Sequence, residues 1–231
     1  MGRRGPKPKH TIDAVLSHAL ELVHQGGLEG LTLGKLARRL ETTPSALYRY
    51  FPNKAAVLAS LQRQALSRLD QHLSQTLAQW RPPLGEVQQI ALRRILVALR
   101  GWREFALTHP AEHRLIDGFL SAPRPVLSME LALTVEEELS RVFSQIANVL
   151  ESAVEVGALE PGDANQRTQV LASALHGLAH FQKRDRFVDQ SVQTPALEFV
   201  LLSGLLTGWG GYPDRVLAAF AVEKAPSPQS E

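Results

Sequence analysis

A short segment near the N-terminus, Thr42 to Lys54, concentrates side chains that can bind a phosphate-bearing polymer. Its sequence, TTPSALYRYFPNK, places hydroxyl groups, phenols and cations within a few residues of one another. Such groups donate hydrogen bonds to phosphate oxygens, and an Arg guanidinium can also bind a guanine edge through two donors. The segment therefore indicates contact with nucleic acid, provided that the fold presents these groups on one surface.

Local signals predict that this segment forms a short helix. Pro44 suits the first helical position, where its missing N–H costs nothing, and Thr43 can cap the free amides. A helix that begins there turns Ser45, Tyr48 and Arg49 outward and the apolar residues between them toward a core. Because so short a helix is unstable alone, it requires neighbouring helices to hold it.

Those neighbours are predicted immediately upstream. Apolar residues between Thr11 and Gln25 recur at helical spacing, and Gly26-Gly27 is expected to end that helix. Thr32 is a plausible cap for a second helix over 33–40. The residues 41–43 then form a turn of the length that a helix-turn-helix uses.

The rest of the chain also shows helical periodicity, in segments that Gly and Pro residues separate. No segment has the alternating pattern of a β-strand. We therefore expect an all-α fold of about nine helices. The later helices are predicted at 53–80, 84–108, 111–120, 126–157, 166–185 and 195–208.

The stretch from Gly27 to Leu58 resembles the N-terminal domain of the TetR family of transcriptional regulators. The resemblance rests on Thr32, the run Leu47-Tyr48-Arg49-Tyr50-Phe51 and Lys54, which match the family pattern in order. Glu41 departs from it, because the family usually carries Gly in the turn, and Arg49 stands where many members have an aromatic residue or His. A looser similarity to one subgroup of C-terminal domains covers Gly101–Ile116 and Ala174–Phe181.

The resemblance implies an N-terminal three-helix helix-turn-helix DNA-binding domain and a C-terminal helical ligand-binding and dimerisation domain. The expected divisions are a basic flexible arm at 1–9, the DNA-binding domain at 10–56, a connecting helix at 57–80, the effector-binding and dimerisation domain at 81–222 and a disordered tail at 223–231. The implied function is that of a DNA-binding transcriptional regulator, most often a repressor released by an unknown small-molecule effector. Its partners would be double-stranded operator DNA of pseudo-palindromic sequence and a second copy of the chain in a homodimer.

Residue chemistry and the matched family positions together select ten candidate DNA contacts. Tyr48 and Tyr50 can bind the phosphate backbone through their hydroxyls, whereas Arg49 can hold a guanine or grip a phosphate. The basic N-terminal arm is either a disordered tail or a segment that lies along phosphates or in the minor groove. The candidates are Arg3, Arg4, Thr32, Thr43, Pro44, Ser45, Tyr48, Arg49, Tyr50 and Lys54.

The C-terminal half contains two further sets of candidates. An effector pocket, for which ordinary core residues are the alternative, is predicted around Trp102, Phe105, Phe119, Phe143, His176 and Phe181. A dimer interface formed by the last two long helices is implied by the family, with a monomeric core as the alternative. Its candidates are Leu171, Leu175, Leu201, Gly204, Leu205 and Gly208.

Two pairs of histidines, His109/His113 and His176/His180, are spaced four apart, as metal ligands on one helix face can be. No carboxylate pattern completes a motif, so we expect neither a metal nor another cofactor. We also find no catalytic motif and expect no enzyme. The alternative interpretation is a helical ligand-binding or enzymatic protein that no longer recognises DNA.

Composition adds weaker constraints. The chain has 231 residues and no cysteine, which excludes disulfides and fits a cytoplasmic location. Residues 1–56 carry nine Lys/Arg against four Asp/Glu, a net charge of +5, whereas the remainder has a net charge of −3. A basic N-terminal part suits contact with phosphate. We expect neither a secretory signal nor a membrane span.

Overall fold

In the computed structural model, residues 11–122 and 125–221 are described, and they form ten α-helices and no β-strand. The expected all-α class is therefore confirmed. The expected arm at 1–9, with Arg3 and Arg4, and the expected tail at 223–231 lie outside the described residues. The helices are α1 (Ile12–Gly30), α2 (Leu33–Arg39), α3 (Pro44–Leu47), α4 (Lys54–Gln79), α5 (Val87–Thr108), α6 (Pro110–Ser121), α7 (Met129–Glu155), α8 (Ala164–Phe181), α9 (Thr194–Gly208) and α10 (Pro213–Ala221).

The early helices begin where the sequence provides a capping side chain. The Thr11 hydroxyl accepts a hydrogen bond from the amide of Ala14 at 3.2 Å, and the Asn53 carboxamide oxygen accepts one from the amide of Ala56 at 2.9 Å. Asp163 caps α8 in the same way. Each cap satisfies an amide that the helix itself cannot pair, which fixes the start of the element.

A break divides α1 at two glycines. Gly26 and Gly27 have non-helical backbone angles, and Gly27 has a φ of +64° and a ψ of −168°, a region that is almost restricted to glycine. The sequence predicts that the helix ends at this pair. One more helical turn, reaching Gly30, follows the break before α2 begins.

The tenth helix, α10, is absent from the helices predicted by the sequence. Pro213 stands at its start and Asp214 in its first turn, both of which are ordinary signals for a helix N-terminus. Its buried residues are Val216 and Ala219. The 3-10 turns at Gln182–Arg184 and Gln190–Val192 lie in the segment between α8 and α9.

The chain divides into two compact units. Among the described residues, the first comprises 11–71, 103–122 and 125–142, and the second comprises 72–102 and 143–221. The division falls inside α4, α5 and α7, because each of these long helices contributes residues to both units. The functional domain boundaries expected from the sequence remain a prediction.

Each unit has its own apolar interior. In the first, α1 packs against α2 and α6, and α2 packs against α3. In the second, a cluster of buried residues joins helices α5, α7, α8, α9 and α10, with Ile95, Leu150, Leu171, Leu206 and Val216 fully buried. Within the described ranges, no helix is both long enough and apolar enough to cross a bilayer.

Candidate nucleic-acid interface

The turn between α2 and α3 closes the C-terminus of α2 through two backbone hydrogen bonds. The amide of Thr42 donates to the carbonyl of Ala37 at 2.9 Å, and the amide of Glu41 donates to the carbonyl of Arg38 at 3.1 Å. This is the Schellman arrangement, which requires a left-handed residue after the helix. Glu41 supplies it with a φ of +49°. The departure from the family glycine therefore leaves the turn geometry intact.

The start of α3 is built as the sequence predicts. Pro44 occupies the first turn, and the Thr43 hydroxyl accepts a hydrogen bond from the amide of Ala46 at 3.3 Å. Leu47 is only 1% exposed and anchors α3 in the interior. Further hydrogen-bonded turns continue to Phe51, which is also buried. A helix of four residues is thus held by its cap and by its buried anchors.

Around this anchor, the polar residues of α3 and of the turn that follows it lie on the surface. Ser45 and Arg49 are exposed, and the Tyr48 side chain is 55% exposed. On α2, Lys35 and Arg38 are also exposed. Together these five residues, here called the exposed row, combine a hydroxyl, a phenol and three cations within one helix-turn-helix unit.

Two other candidates have structural roles within the same unit. The Lys54 ammonium donates a hydrogen bond to the carbonyl of Leu28 at 3.1 Å, so it joins the start of α4 to the last turn of α1. The Thr32 hydroxyl accepts a hydrogen bond from the amide of Lys35 at 3.2 Å and caps α2. A hydroxyl that accepts still has its own proton to donate, and an ammonium has three donors, so both can also bind phosphate. Tyr50 is half-buried.

Arg39 braces α2 against α1. Its guanidinium forms an ion pair with Glu21 and a 3.3 Å hydrogen bond with the side chain of Gln25. The hydrogen bond from Arg39 lowers the pKa of the Glu21 carboxyl below its ordinary value. Sequence periodicity alone places Arg39 among the solvent-facing cations; the acidic partner one helix upstream is the signal that could have indicated this brace.

The predicted effector-pocket residues are distributed between the two units. In the first unit, Phe105 is buried and stacks on His109 with ring centroids 4.6 Å apart, and Phe119 is half-buried. The remaining four lie in the second unit, where Trp102 stacks on Phe143 at 6.1 Å, His176 is half-buried and Phe181 is 50% exposed. Their assignment to a ligand remains a prediction.

A cavity of about 270 Å³ occurs elsewhere in the first unit, beside the Arg39–Glu21 brace. None of the predicted pocket residues lines it, and no sequence pattern pointed to it. Its lining comes from α1, α2 and α6 and comprises Leu20, Glu21, His24, Gln25, Arg39, Ala111 and Glu112.

The predicted dimer residues differ in how accessible they are. Leu171 is fully buried within the second unit, and Leu175 and Leu205 pack against the same core. Leu201 is half-buried. Gly204 and Gly208 are exposed, and a Cβ atom added to either would meet nothing within 4 Å. The two glycines are thus on the free surface of α9.

The fold and this surface define a class of protein: a helix-turn-helix protein with polar and cationic side chains exposed on and just after α3. The family comparison is consistent with that class. The model of the bacterial regulatory proteins of the tetR family matches residues 15–61, and the model of the tetracyclin repressor-like C-terminal domain matches residues 95–201. The two matches together span well over half of the chain, and the chain belongs to the TetR family.

Individual relatives match part of the chain. The chain is 44% identical over 55 residues to the HTH-type transcriptional repressor DrrR1 of Streptomyces coeruleorubidus, covering 24% of this chain and 20% of that protein. It is 40% identical over 101 residues to the class C tetracycline repressor protein of Escherichia coli, covering 43% of this chain and 46% of that protein. The chain thus spans less than half the length of these two curated relatives.

A solved structure extends the similarity of fold to most of the chain. The TetR family transcriptional regulator PfmR of Thermus thermophilus superposes with a TM-score of 0.56 over 88% of this chain and 98% of that chain. The sequence identity is 20%, so this likeness concerns the fold.

Proposed function

We propose that this chain is a transcriptional regulator that binds double-stranded operator DNA as a homodimer, works in the cytoplasm and is released by a small-molecule effector. The observation that carries the proposal is the exposed row, Lys35, Arg38, Ser45, Tyr48 and Arg49, on a capped helix-turn-helix. Family membership supports the same conclusion, since the family is described as one of bacterial regulatory proteins.

DNA recognition requires α3 to enter the major groove. Thr43, Pro44 and Ser45 lead the helix, and the Tyr48 ring can pack on a thymine methyl while its hydroxyl donates to phosphate. Arg49, one residue further on, has the length to reach a base edge or a phosphate. The cations of α2 add contacts that carry no sequence information but position the protein on the duplex.

A second copy is needed because one α3 touches few base pairs. Two copies related by a two-fold axis would read half-sites about one helical turn apart, and the operator would then be pseudo-palindromic. The free surface of α9 supports this arrangement, because Val200 is 63% exposed beside the open positions of Gly204 and Gly208. Exposed apolar and small residues on one helix face suit close packing against another helix.

The binding proposal is tested by selecting a duplex in vitro and titrating it at several salt concentrations. If the exposed row contacts phosphates, the logarithm of the DNA association constant falls linearly with the logarithm of the salt concentration, with a slope of about 0.9 for each contact. The variant Lys35→Ala should reduce that slope by roughly 1 without changing sequence preference. If no duplex is bound even at low ionic strength, the chain is instead a helical ligand-binding or enzymatic protein that has lost DNA reading.

The release proposal requires a ligand that distinguishes two states of the protein. Only a difference in affinity between the DNA-bound and free forms can shift binding, and such coupling is typically about 1–3 kcal/mol. Compounds that raise the melting temperature of the protein would be added to the protein–operator complex. If compounds that bind tightly leave the affinity for the operator unchanged, effector release is wrong while DNA binding stands.

A further inference from the structure

Two histidine rings face each other near the end of α8. His176 and His180 are separated by four residues, so they project from one face of the helix. Their Nε2 atoms are 3.2 Å apart. The ring centroids are 4.9 Å apart and the planes meet at 79°, an edge-on arrangement in which both Nε2 atoms converge.

This separation fits two ligands of one metal ion. A metal–imidazole bond is about 2.0–2.1 Å long, and two such bonds at angles between square and tetrahedral place the nitrogens roughly 2.9–3.4 Å apart. The observed 3.2 Å lies within that interval. A hydrogen bond between neutral rings has the same length, but it uses the lone pair of only one ring, whereas a metal ion uses both.

The position of the pair also permits an ion to enter. His180 is exposed and His176 is half-buried. Imidazole nitrogen suits Cu²⁺, Ni²⁺ and Zn²⁺, and the affinity of a nitrogen site for these ions is greatest for Cu²⁺. Two histidine ligands alone hold a metal ion less tightly than the four protein ligands of a structural site do.

The other histidine pair, His109 and His113, has identical spacing but a different environment. The His109 ring stacks on Phe105, and its Nδ1 atom lies 2.8 Å from the Thr108 hydroxyl oxygen. His109 is also outside the helix, because α6 begins at Pro110. Spacing in the sequence cannot distinguish the two pairs, and we expected no metal at either because no carboxylate pattern completes a motif.

We propose that His176 and His180 form a binding site for one divalent transition-metal ion, with Cu²⁺ preferred, held through their two Nε2 atoms. The ion would clamp the last turn of α8, immediately before the 3-10 turn at Gln182–Arg184. The proposal stands independently of DNA binding and of the effector.

The experiment uses the untagged full chain, freed of metal by chelation and titrated with Cu²⁺ in a calorimeter. Paramagnetic resonance of the bound Cu²⁺ should show hyperfine splitting from imidazole nitrogen. His180→Gln should weaken the binding on the order of tenfold or more, because it removes a direct ligand. His113→Gln, which removes a histidine from the pair of identical spacing, is the matched control and should bind as the wild type does.

Equal binding by wild type and His180→Gln, or a loss that appears only in His113→Gln, would overturn the proposal. Circular dichroism checks that both variants keep their helices. A second measurement needs no variant: added Zn²⁺ should shift the imidazole nitrogen signals of two histidines in the NMR spectrum of the wild type. If the imidazole signals that shift belong to residues other than His176 and His180, or if no imidazole signal shifts, the proposed metal site is wrong.

Discussion

Glu41 adopts a backbone conformation that a glycine would adopt more easily. Its φ of +49° places it in the left-handed region, where an L-residue is less stable by roughly 1–2 kcal/mol. The turn nevertheless forms, because the Thr42 and Glu41 amides both find carbonyls at the end of α2. The hydrogen bonds and the buried anchors on either side offset the local strain.

Replacement of Glu41 by Gly should therefore stabilise the protein by about 0.5–1 kcal/mol, after the greater entropy of glycine in the unfolded chain is subtracted. The measurement is the midpoint of urea unfolding followed by circular dichroism. Glu41→Ala is the control, since it removes the same charge but keeps a Cβ atom, and its stability should exceed that of the wild type only slightly. Equal gains for both variants would show that charge, and not backbone strain, is responsible.

Arg49 decides whether the exposed row reads sequence or only grips the backbone. If its guanidinium binds a guanine through two donors, Arg49→Ala should lose about 1–3 kcal/mol of discrimination at one base position and leave the others unchanged. Affinities for a set of single-base operator variants, measured at one salt concentration, provide this comparison. A uniform loss across all variants would assign Arg49 to phosphate.

At the scale of elements, the break in α1 depends on Gly27 and not on Gly26. Both positions have open space around an added Cβ atom, but only Gly27 has a positive φ. Gly27→Ala should destabilise the protein by about 1–3 kcal/mol, because alanine is strained in that backbone region. Gly26→Ala should have little effect, and comparison of the two unfolding midpoints tests the claim. Similar losses for both would imply that the last turn of α1 does not require this backbone geometry.

Helix starts were predictable because their causes are local. Thr32 and Thr43 each cap the helix that follows, and each was identified from its own few neighbours in sequence. The same kind of signal stands at Pro213 and Asp214, so the start of α10 was predictable too, although we did not predict it. The local continuation of the chain after the Gly26-Gly27 break was not predictable, because glycine permits several conformations.

The candidate sites were less predictable than the helices because tertiary packing decides them. The periodicity of α2 predicts that Arg39 lies on its solvent-exposed face. The ion pair of Arg39 with Glu21, however, depends on how α1 and α2 pack. Leu171 matched the pattern of an interface helix, yet it is fully buried in the core of its own unit. A stripe of apolar residues specifies that a face is buried, but not what covers it.

At the scale of the whole molecule, the proposed dimer makes a prediction about α9. Gly204→Arg adds a side chain into open space, so the fold of one chain should be unaffected. Across a two-fold axis, however, two like charges would meet, which costs several kcal/mol and should raise the dimer dissociation constant by roughly a hundredfold or more. Sedimentation velocity measures the change, and operator affinity should fall with it.

The matched control is Gly85→Arg, which makes the same substitution at an exposed position outside α8 and α9, where a Cβ atom would meet only the Gln89 side chain at 3.4 Å. It should leave the oligomeric state as it is. If Gly204→Arg also stays dimeric, the subunits associate through another surface.

The left-handed residue at position 41 has a consequence for protein engineering. Attempts to redirect such a regulator toward a new DNA sequence require several substitutions in α3, and most substitutions lower stability. Glu41 lies outside α3, so its replacement by glycine could be introduced first as a compensating background. Libraries built on that background should retain a larger fraction of folded members than libraries built on the parent chain.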